Sequence, residues 1–265
     1  MVPILQRELP GLSILGARVK KPVVLRATAP IAGRVEAVRR LAQCVLLELE
    51  GARLAISPML AGRFQLARPE ERDPADLAVA FTLSDGRELR YRDDVSMGKV
   101  YLLPAGGAVP GLEVVGVDVL GPDFDRERFR ALCRARRDQA KVFLMDKSAL
   151  DAMGNAYADE VLWEAGVHPK RTVRSLSPEE QDRLHDAIVS VLTHARDHIR
   201  ERNPPLDVKL RDFLHVRGRA GEACDRCGTK LRTTGVHGHD AFFCPRCQPD
   251  TQARGFVDWR KVPGG

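Results

Sequence analysis

Four cysteines near the C-terminal end, Cys224, Cys227, Cys244 and Cys247, constrain the folding of this chain more than any other feature. They form two Cys-x-x-Cys pairs, and residues 228–243 between them make a segment of hairpin length. Each pair sets two thiolates on a tight turn, and two such turns facing each other complete a tetrahedral Zn²⁺ site. The alternative for this spacing is a pair of redox or disulfide bridges. A zinc site makes the end of the chain a separate, metal-folded finger. The other two cysteines, Cys44 and Cys133, lie in apolar or mixed contexts, where a buried free thiol is the ordinary outcome. This cysteine usage suits a reducing cytosol.

The length of 265 residues suits one large domain or two to three small ones, and 44% hydrophobic residues suffice for a packed core. No apolar run approaches the roughly 18 residues that cross a bilayer. The N-terminus lacks a charged-then-apolar signal pattern, so neither membrane insertion nor secretion is expected, and a cytoplasmic location is. The net charge is +6, with arginine clusters at 34–40, 126–137 and 211–219 and a mixed cluster at 170–174. That balance favours an anionic partner, nucleic acid being the commonest large one. A solvated surface in an arginine-rich proteome accounts for the charge equally well.

Residues 12–120 read mostly as short strands, at 12–19, 23–27, 45–49, 54–57, 78–83, 88–91 and 99–103. Asp85-Gly86 supplies a hairpin turn between two of them. Such spacing implies a β-sandwich or barrel. Gly121-Pro122-Asp123 marks a boundary, after which the period becomes helical. Residues 125–137 set Phe129, Leu132 and Cys133 on one face, and 157–165 are apolar and closed by Gly166. Ser177-Pro178-Glu179-Glu180 starts a long helix with Ser at the N-cap and Glu at N3. Its buried stripe is Leu184, Ile188, Val191, Leu192 and Ala195, and it stops before Pro204-Pro205. Trp163 and Leu162 read as helix core, and His168 as structural. The tail 251–265 carries no strong pattern.

Between the first two helical stretches lies Met153-Gly154-Asn155-Ala156-Tyr157. A Gly-Asn turn at a helix start permits unusual backbone angles and points amide N–H groups outward, an arrangement able to grip phosphate. Lys141 could add a point charge. Plain helix capping explains the same pair.

Residues 140–169 (AKVFLMDKSALDAMGNAYADEVLWEAGVHP) resemble the helix-two-turn-helix region of the formamidopyrimidine-DNA glycosylase / endonuclease VIII family. Residues 224–248 (CDRCGTKLRTTGVHGHDAFFCPRCQ) resemble that family's C-terminal zinc finger. Arg39-Arg40-Leu41 with Val45-Leu46-Leu47-Glu48-Leu49, and Met59-Leu60-Ala61-Gly62-Arg63, resemble parts of its β-sandwich, so the likeness covers nearly the whole chain in order. It implies an α+β multidomain protein: a β-sandwich over 1–120, a helix-two-turn-helix domain over 124–216, a zinc-finger hairpin over 217–250 and a tail. It also implies a monomer with structural Zn²⁺ that binds double-stranded DNA, damaged or abasic, and flips the damaged base out of the stack. By resemblance Asn155 and Lys141 hold phosphates, Gly154 permits the turn, Arg63 lies near the DNA backbone and His239 faces the DNA from the finger.

The family's activity is that of a DNA glycosylase and abasic-site lyase. An N-terminal proline amine attacks the sugar C1′ and forms a Schiff base, with the adjacent glutamate as acid-base group. This chain begins Met1-Val2-Pro3-Ile4, with no glutamate after the proline, and Glu8 further along. Two explanations compete: a start within a longer helix that begins Pro-Glu, or a scaffold that kept DNA binding and lost catalysis. Gln43 stands where the family usually has lysine, Ser57 where histidine is common, and Val95 and Met97 where an Arg-Phe pair often wedges into the duplex. His239 stands where the finger commonly carries arginine. Met97 or Leu60 could fill the gap left by a flipped base, although core packing also accounts for Leu60. Lys20 and Lys21 are substitute amines with no evident activating partner.

Overall fold

Short β-branched and leucine-rich runs with alternating burial build the N-terminal half of the molecule. A computed structural model describes residues 2–59, 61–151 and 153–250. Leu60, suggested above as a wedge, and the tail 251–265 lie outside the described residues. The chain divides into two compact units, one of residues 1–114 with 202–210, the other of 115–201 with 211–265. The helical segment and the finger thus share one unit, and the division falls a few residues before the expected 120.

The first unit opens with helix α1 (Val2–Glu8) and continues through β1 (Ser13–Val19), β2 (Leu25–Arg26), β3 (Gly33–Leu41), β4 (Cys44–Leu49) and β5 (Ala52–Ser57). It closes with β6 (Arg63–Ala67), β7 (Leu77–Leu83), β8 (Glu88–Arg92) and β9 (Lys99–Pro104). The strand order is β2-β9-β5-β4-β3-β1-β7-β8-β6. Only Ser13↔Arg34 and Ile14↔Gly33 join β1 to β3, and the sheet divides there into two halves. Leu47, Leu54 and Ile56 from one half and Phe64, Phe81 and Tyr91 from the other are buried in a single cluster, so the halves form a sandwich. Each large side chain buried there contributes about 1.5–3 kcal/mol. Leu5 of α1 and Leu9 beyond it are also fully buried in that core.

Strand β6 was not expected from the sequence, and two further differences have a plain physical cause. The expected strand at 23–27 is strand only at Leu25–Arg26; Val23 and Val24 belong to a 3₁₀ turn (Pro22–Val24) that Pro22 opens, since its ring fixes φ and it lacks a ladder donor. The arginine cluster at 34–40 is strand β3, whose inward positions are Val35 and Val38 while Arg34, Arg39 and Arg40 avoid the core.

In the second unit, β10 (Val117–Asp118) pairs in parallel with β11 (Leu150–Asp151). Helix α2 (Arg126–Ala135) is capped by Asp125, which accepts from the Arg128 N–H at 2.8 Å. Helix α3 (Ala140–Met145) and helix α4 (Asn155–Ala165) follow. Gly166 ends α4 with φ of 70°, a left-handed cap that favours glycine. Helix α5 (Pro178–Arg202) starts on a reciprocal capping box. There the Ser177 hydroxyl accepts from Glu180 N–H at 3.2 Å, and Glu180 accepts from Ser177 N–H at 2.8 Å. Leu184, Ile188 and Leu192 pack with Phe129, Phe143 and Val161 into the helical core. Strands β12 (Arg232–Val236) and β13 (His239–Phe243) complete the unit as an antiparallel hairpin. Among the described residues, no helix is long and apolar enough to cross a membrane.

Candidate nucleic-acid interface and metal centre

His237 and Gly238 turn the β12–β13 hairpin with φ of 45° and 78°, the paired positive angles that match the twist of two short strands. Below this hairpin the four cysteine sulfurs lie within 4.8 Å of one another. The Cys227–Cys244 sulfur separation is 3.5 Å and that of Cys224–Cys247 is 4.0 Å. A tetrahedral thiolate site with Zn–S of about 2.3 Å needs sulfurs about 3.8 Å apart, so this donor set fits structural zinc. The Thr229 hydroxyl and N–H draw the Cys227 thiol down to about 6, whereas burial raises Cys244 and Cys247, so the all-thiolate set is reached only as metal binding displaces protons.

The metal site is tied to α4 from several directions. Trp163 donates its indole N–H to Cys224 Sγ at 3.4 Å and stacks on His215 at 4.6 Å between ring centroids. Arg226 lies over the same indole, 4.1 Å from its centroid. Trp163 therefore belongs to the core of the finger rather than that of the helices. Gln248, fully buried, accepts from Cys244 N–H and donates to the Val167 carbonyl, each at 2.9 Å. Glu160, buried on α4, accepts the backbone N–H groups of His215, Val216 and Arg217 at 2.7–3.0 Å. His168 is structural, edge-on to Phe243 with centroids 4.8 Å apart.

The expected surface role of Lys141 is corrected. Its side chain is wholly buried, and its ammonium meets Asp159 Oδ1 at 2.5 Å. A phosphate cannot reach a side chain with no exposed surface. Burial pulls Lys141 down and Asp159 up, and each partly offsets that pull on the other. Asp159 also takes Arg217 Nη1 at 2.9 Å. The same guanidinium sits 4.8 Å from the Phe242 ring centroid. Sequence reasoning missed Asp159, Glu160 and Arg217. Two adjacent carboxylates inside the apolar run of α4 were the available signal, since a buried acid must have partners.

Asn155 is the first residue of α4, and Gly154 precedes it at φ of −114°. That angle is ordinary extended backbone, so the turn does not need glycine for its conformation. A Cβ at Gly154 would meet nothing within 4 Å, so the surface there is open. No side chain caps this helix start and its first turn carries no acid, leaving the positive end of α4 without an intrahelical counter-charge. The Asn155 amide donates to Asp240 Oδ1 at 3.0 Å, and Arg217 Nη2 donates to the same oxygen at 3.2 Å. Burial raises the pKa of Asp240, but the bonds from Asn155 and Arg217 outweigh it and hold the carboxyl below its usual range. His239, beside it at the hairpin tip, is exposed.

The first unit presents a different surface. Met59, Val95 and Met97 are exposed at 43%, 54% and 46%, unusual for side chains of this size. The 94–98 loop is strapped by buried Asp93, which accepts from Ser96 N–H at 3.0 Å and Gly98 N–H at 2.7 Å. Gln43 reaches Met59 Sδ at 3.5 Å. Arg63 faces Asp76 at 3.6 Å, and Asp76 also holds Arg92 at 2.8 Å, so Arg63 is partly neutralised. Glu8 is paired with Arg87 at 3.0 Å and Arg7 at 3.1 Å. Lys20 lies 3.6 Å from Asp73, and Lys21 donates to the Asp93 carbonyl at 2.5 Å.

Residues 115–200 match the formamidopyrimidine-DNA glycosylase H2TH domain, and residues 221–249 match the zinc finger found in FPG and IleRS. The formamidopyrimidine-DNA glycosylase of Pelotomaculum thermopropionicum is 32% identical over 262 residues, covering 92% of this chain and 94% of that protein. The protein of the same name from Heliobacterium modesticaldum is 36% identical over 229 residues, covering 81% and 82%. Among solved structures, a Lactococcus lactis FPG mutant complexed with Fapy-dG containing DNA superposes with a TM-score of 0.84 at 24% identity. That match covers 94% of this chain and 96% of the other, and at this identity it speaks to the fold. With relatives above 30% identity matched over most of both chains, the chain belongs to the formamidopyrimidine-DNA glycosylase family.

Proposed function

We infer that this protein binds damaged or abasic duplex DNA in base excision repair. The carrying observation is the start of α4, where the Asn155 amide and the Arg217 guanidinium converge beside an uncapped helix N-terminus. Two donors aimed at one oxygen, at the positive end of a helix, suit a backbone phosphate. Zinc fixes the hairpin that carries the far side of this seat. On the first unit, exposed Met97 and Val95 suit a gap in a base stack better than a phosphate, as apolar wedges do. Arg63 and His239 are the remaining candidate backbone contacts.

The test is binding to a duplex containing one stable abasic analogue. Asn155→Ala should weaken binding by tenfold or more, beyond the cap effect of about 1 kcal/mol. An unchanged Kd would make the turn purely structural.

Glycosylase and lyase chemistry by the family's route needs a free proline amine. In α1 the one acid, Glu8, is engaged by two arginines. A second reading, which that engaged acid favours, is a binder that reads lesions without cutting. Borohydride trapping on an abasic duplex separates the readings. A covalent adduct identifies a reactive amine among the residues present, and binding without an adduct supports the reader.

A further inference from the structure

Asp240 fills the seat at the start of α4 that the DNA-binding reading gives to a phosphate oxygen. Its Oδ1 is the shared acceptor for Asn155 Nδ2 and Arg217 Nη2, at 3.0 and 3.2 Å. Arg217 is further committed to Asp159 at 2.9 Å and to the Asp240 carbonyl at 3.2 Å. Lys141, Arg217, Asp159 and Asp240 therefore sum to zero formal charge, and a phosphate arriving here meets a carboxylate rather than a free cation. Two features make Asp240 displaceable. Its side chain is 54% exposed, whereas Asp159 is buried. The Asn155 Oδ1 atom is buried without a partner, so no second hydrogen bond fixes the amide on its Asp240 side.

We propose that Asp240 is an internal anionic plug that DNA must displace from the Asn155–Arg217 seat, making it a residue that sets the protein's affinity for DNA. This rests on the DNA-binding reading above and adds a cost that a bare phosphate seat lacks. A mere structural latch between hairpin and helix makes the opposite prediction, because weakening a latch loosens the interface and lowers affinity.

The test uses the full-length zinc-loaded protein with Asp240→Asn, which keeps the shape and the hydrogen bonds and removes the charge. Asp186→Asn is the control, changing net charge equally on the exposed face of α5, where Asp186 pairs with Arg126. Asp240→Asn should bind both the abasic-analogue duplex and the intact duplex about tenfold more tightly at low salt, the gain shrinking as salt rises. The control should stay within about twofold, since an exposed charge is largely screened. Equal or weaker binding by Asp240→Asn, while the unmodified protein binds DNA, overturns the plug and leaves the DNA reading intact. An equal gain in the control overturns it too, since net charge alone then explains the effect. If neither protein binds duplex, the DNA reading falls. Inorganic phosphate titrated against the Asn155 side-chain amide resonances then decides: a shift in Asp240→Asn alone keeps the plug, and no shift in either removes it.

Discussion

Around Leu47, Phe81 and Tyr91 the first unit holds nine strands together with apolar side chains from both halves of a sandwich. Around the cysteines the second unit holds two strands with five buried side chains, Trp163, Val216, Leu231 and the ligands Cys224 and Cys244. The first arrangement draws on transfer of apolar surface from water and needs no cofactor. The second has too little apolar surface for that, so metal binding supplies its folding free energy. The same contrast governs charge. In the sandwich, Arg92, Asp76 and Arg63 pair at its margin, whereas in the second unit Lys141 and Asp159 pair with no exposed surface. The sandwich has a buried pair too, Arg90 with Glu88, but there the guanidinium also donates to the backbone carbonyls of residues 68, 71 and 72.

The largest expected effect that separates the two regions is loss of a ligand. Cys244→Ser should release zinc and unfold the hairpin while the sandwich keeps its cooperative transition. Zinc stoichiometry with hydrogen exchange in β12–β13 and in β7 checks this, and protection lost in both regions would erase the contrast. Next comes Asp159→Asn, which leaves Lys141 buried without an anion and should destabilise the second unit by about 3–5 kcal/mol. Replacing both, as Lys141→Met with Asp159→Leu, should recover much of that loss, because the apolar pair has no desolvation cost. Urea melts of the three variants read the difference. A smaller effect is expected at Ser177→Ala, about 1 kcal/mol, from loss of one half of the capping box.

The smallest effect sharpens the comparison from the side of the first unit. Burial raises the pKa of Asp76, but its Arg92 partner outweighs this and holds it below 3.8. A carboxylate with a depressed folded pKa stabilises above its unfolded value and loses that contribution as pH falls through the folded one. Acid melts below about pH 4 should show this loss in the wild type and a reduced loss in Arg92→Met.

Much of this architecture was legible because local chemistry dictates it. Ser177, Pro178 and Glu180 announce a helix start, Asp85-Gly86 a hairpin, and the two cysteine pairs a metal site, each from neighbours in the chain. What escaped depends on partners far apart. Lys141 reads as a surface cation until Asp159 arrives from the next helix and Arg217 from beyond α5. Strand β3 reads as a charge cluster because its arginines face away from the core and its apolar face is interrupted by a bulge between Val35 and Ala37. Asp240 carries no local signal, since its meaning lies in sharing one oxygen between Asn155 and Arg217.

Glu160 gathers three consecutive backbone N–H groups, those of residues 215–217, onto one carboxylate in the middle of α4. Asn155 lies at one end of that helix, and Trp163, bonded to a zinc-ligand sulfur, lies toward the other. Helix and finger are thereby geared to one another, so tilting the finger drags the residue expected to touch DNA. Oxidants that attack the thiols should therefore silence DNA binding some distance from the sulfur they modify, coupling the chain's grip on DNA to the redox state of its surroundings.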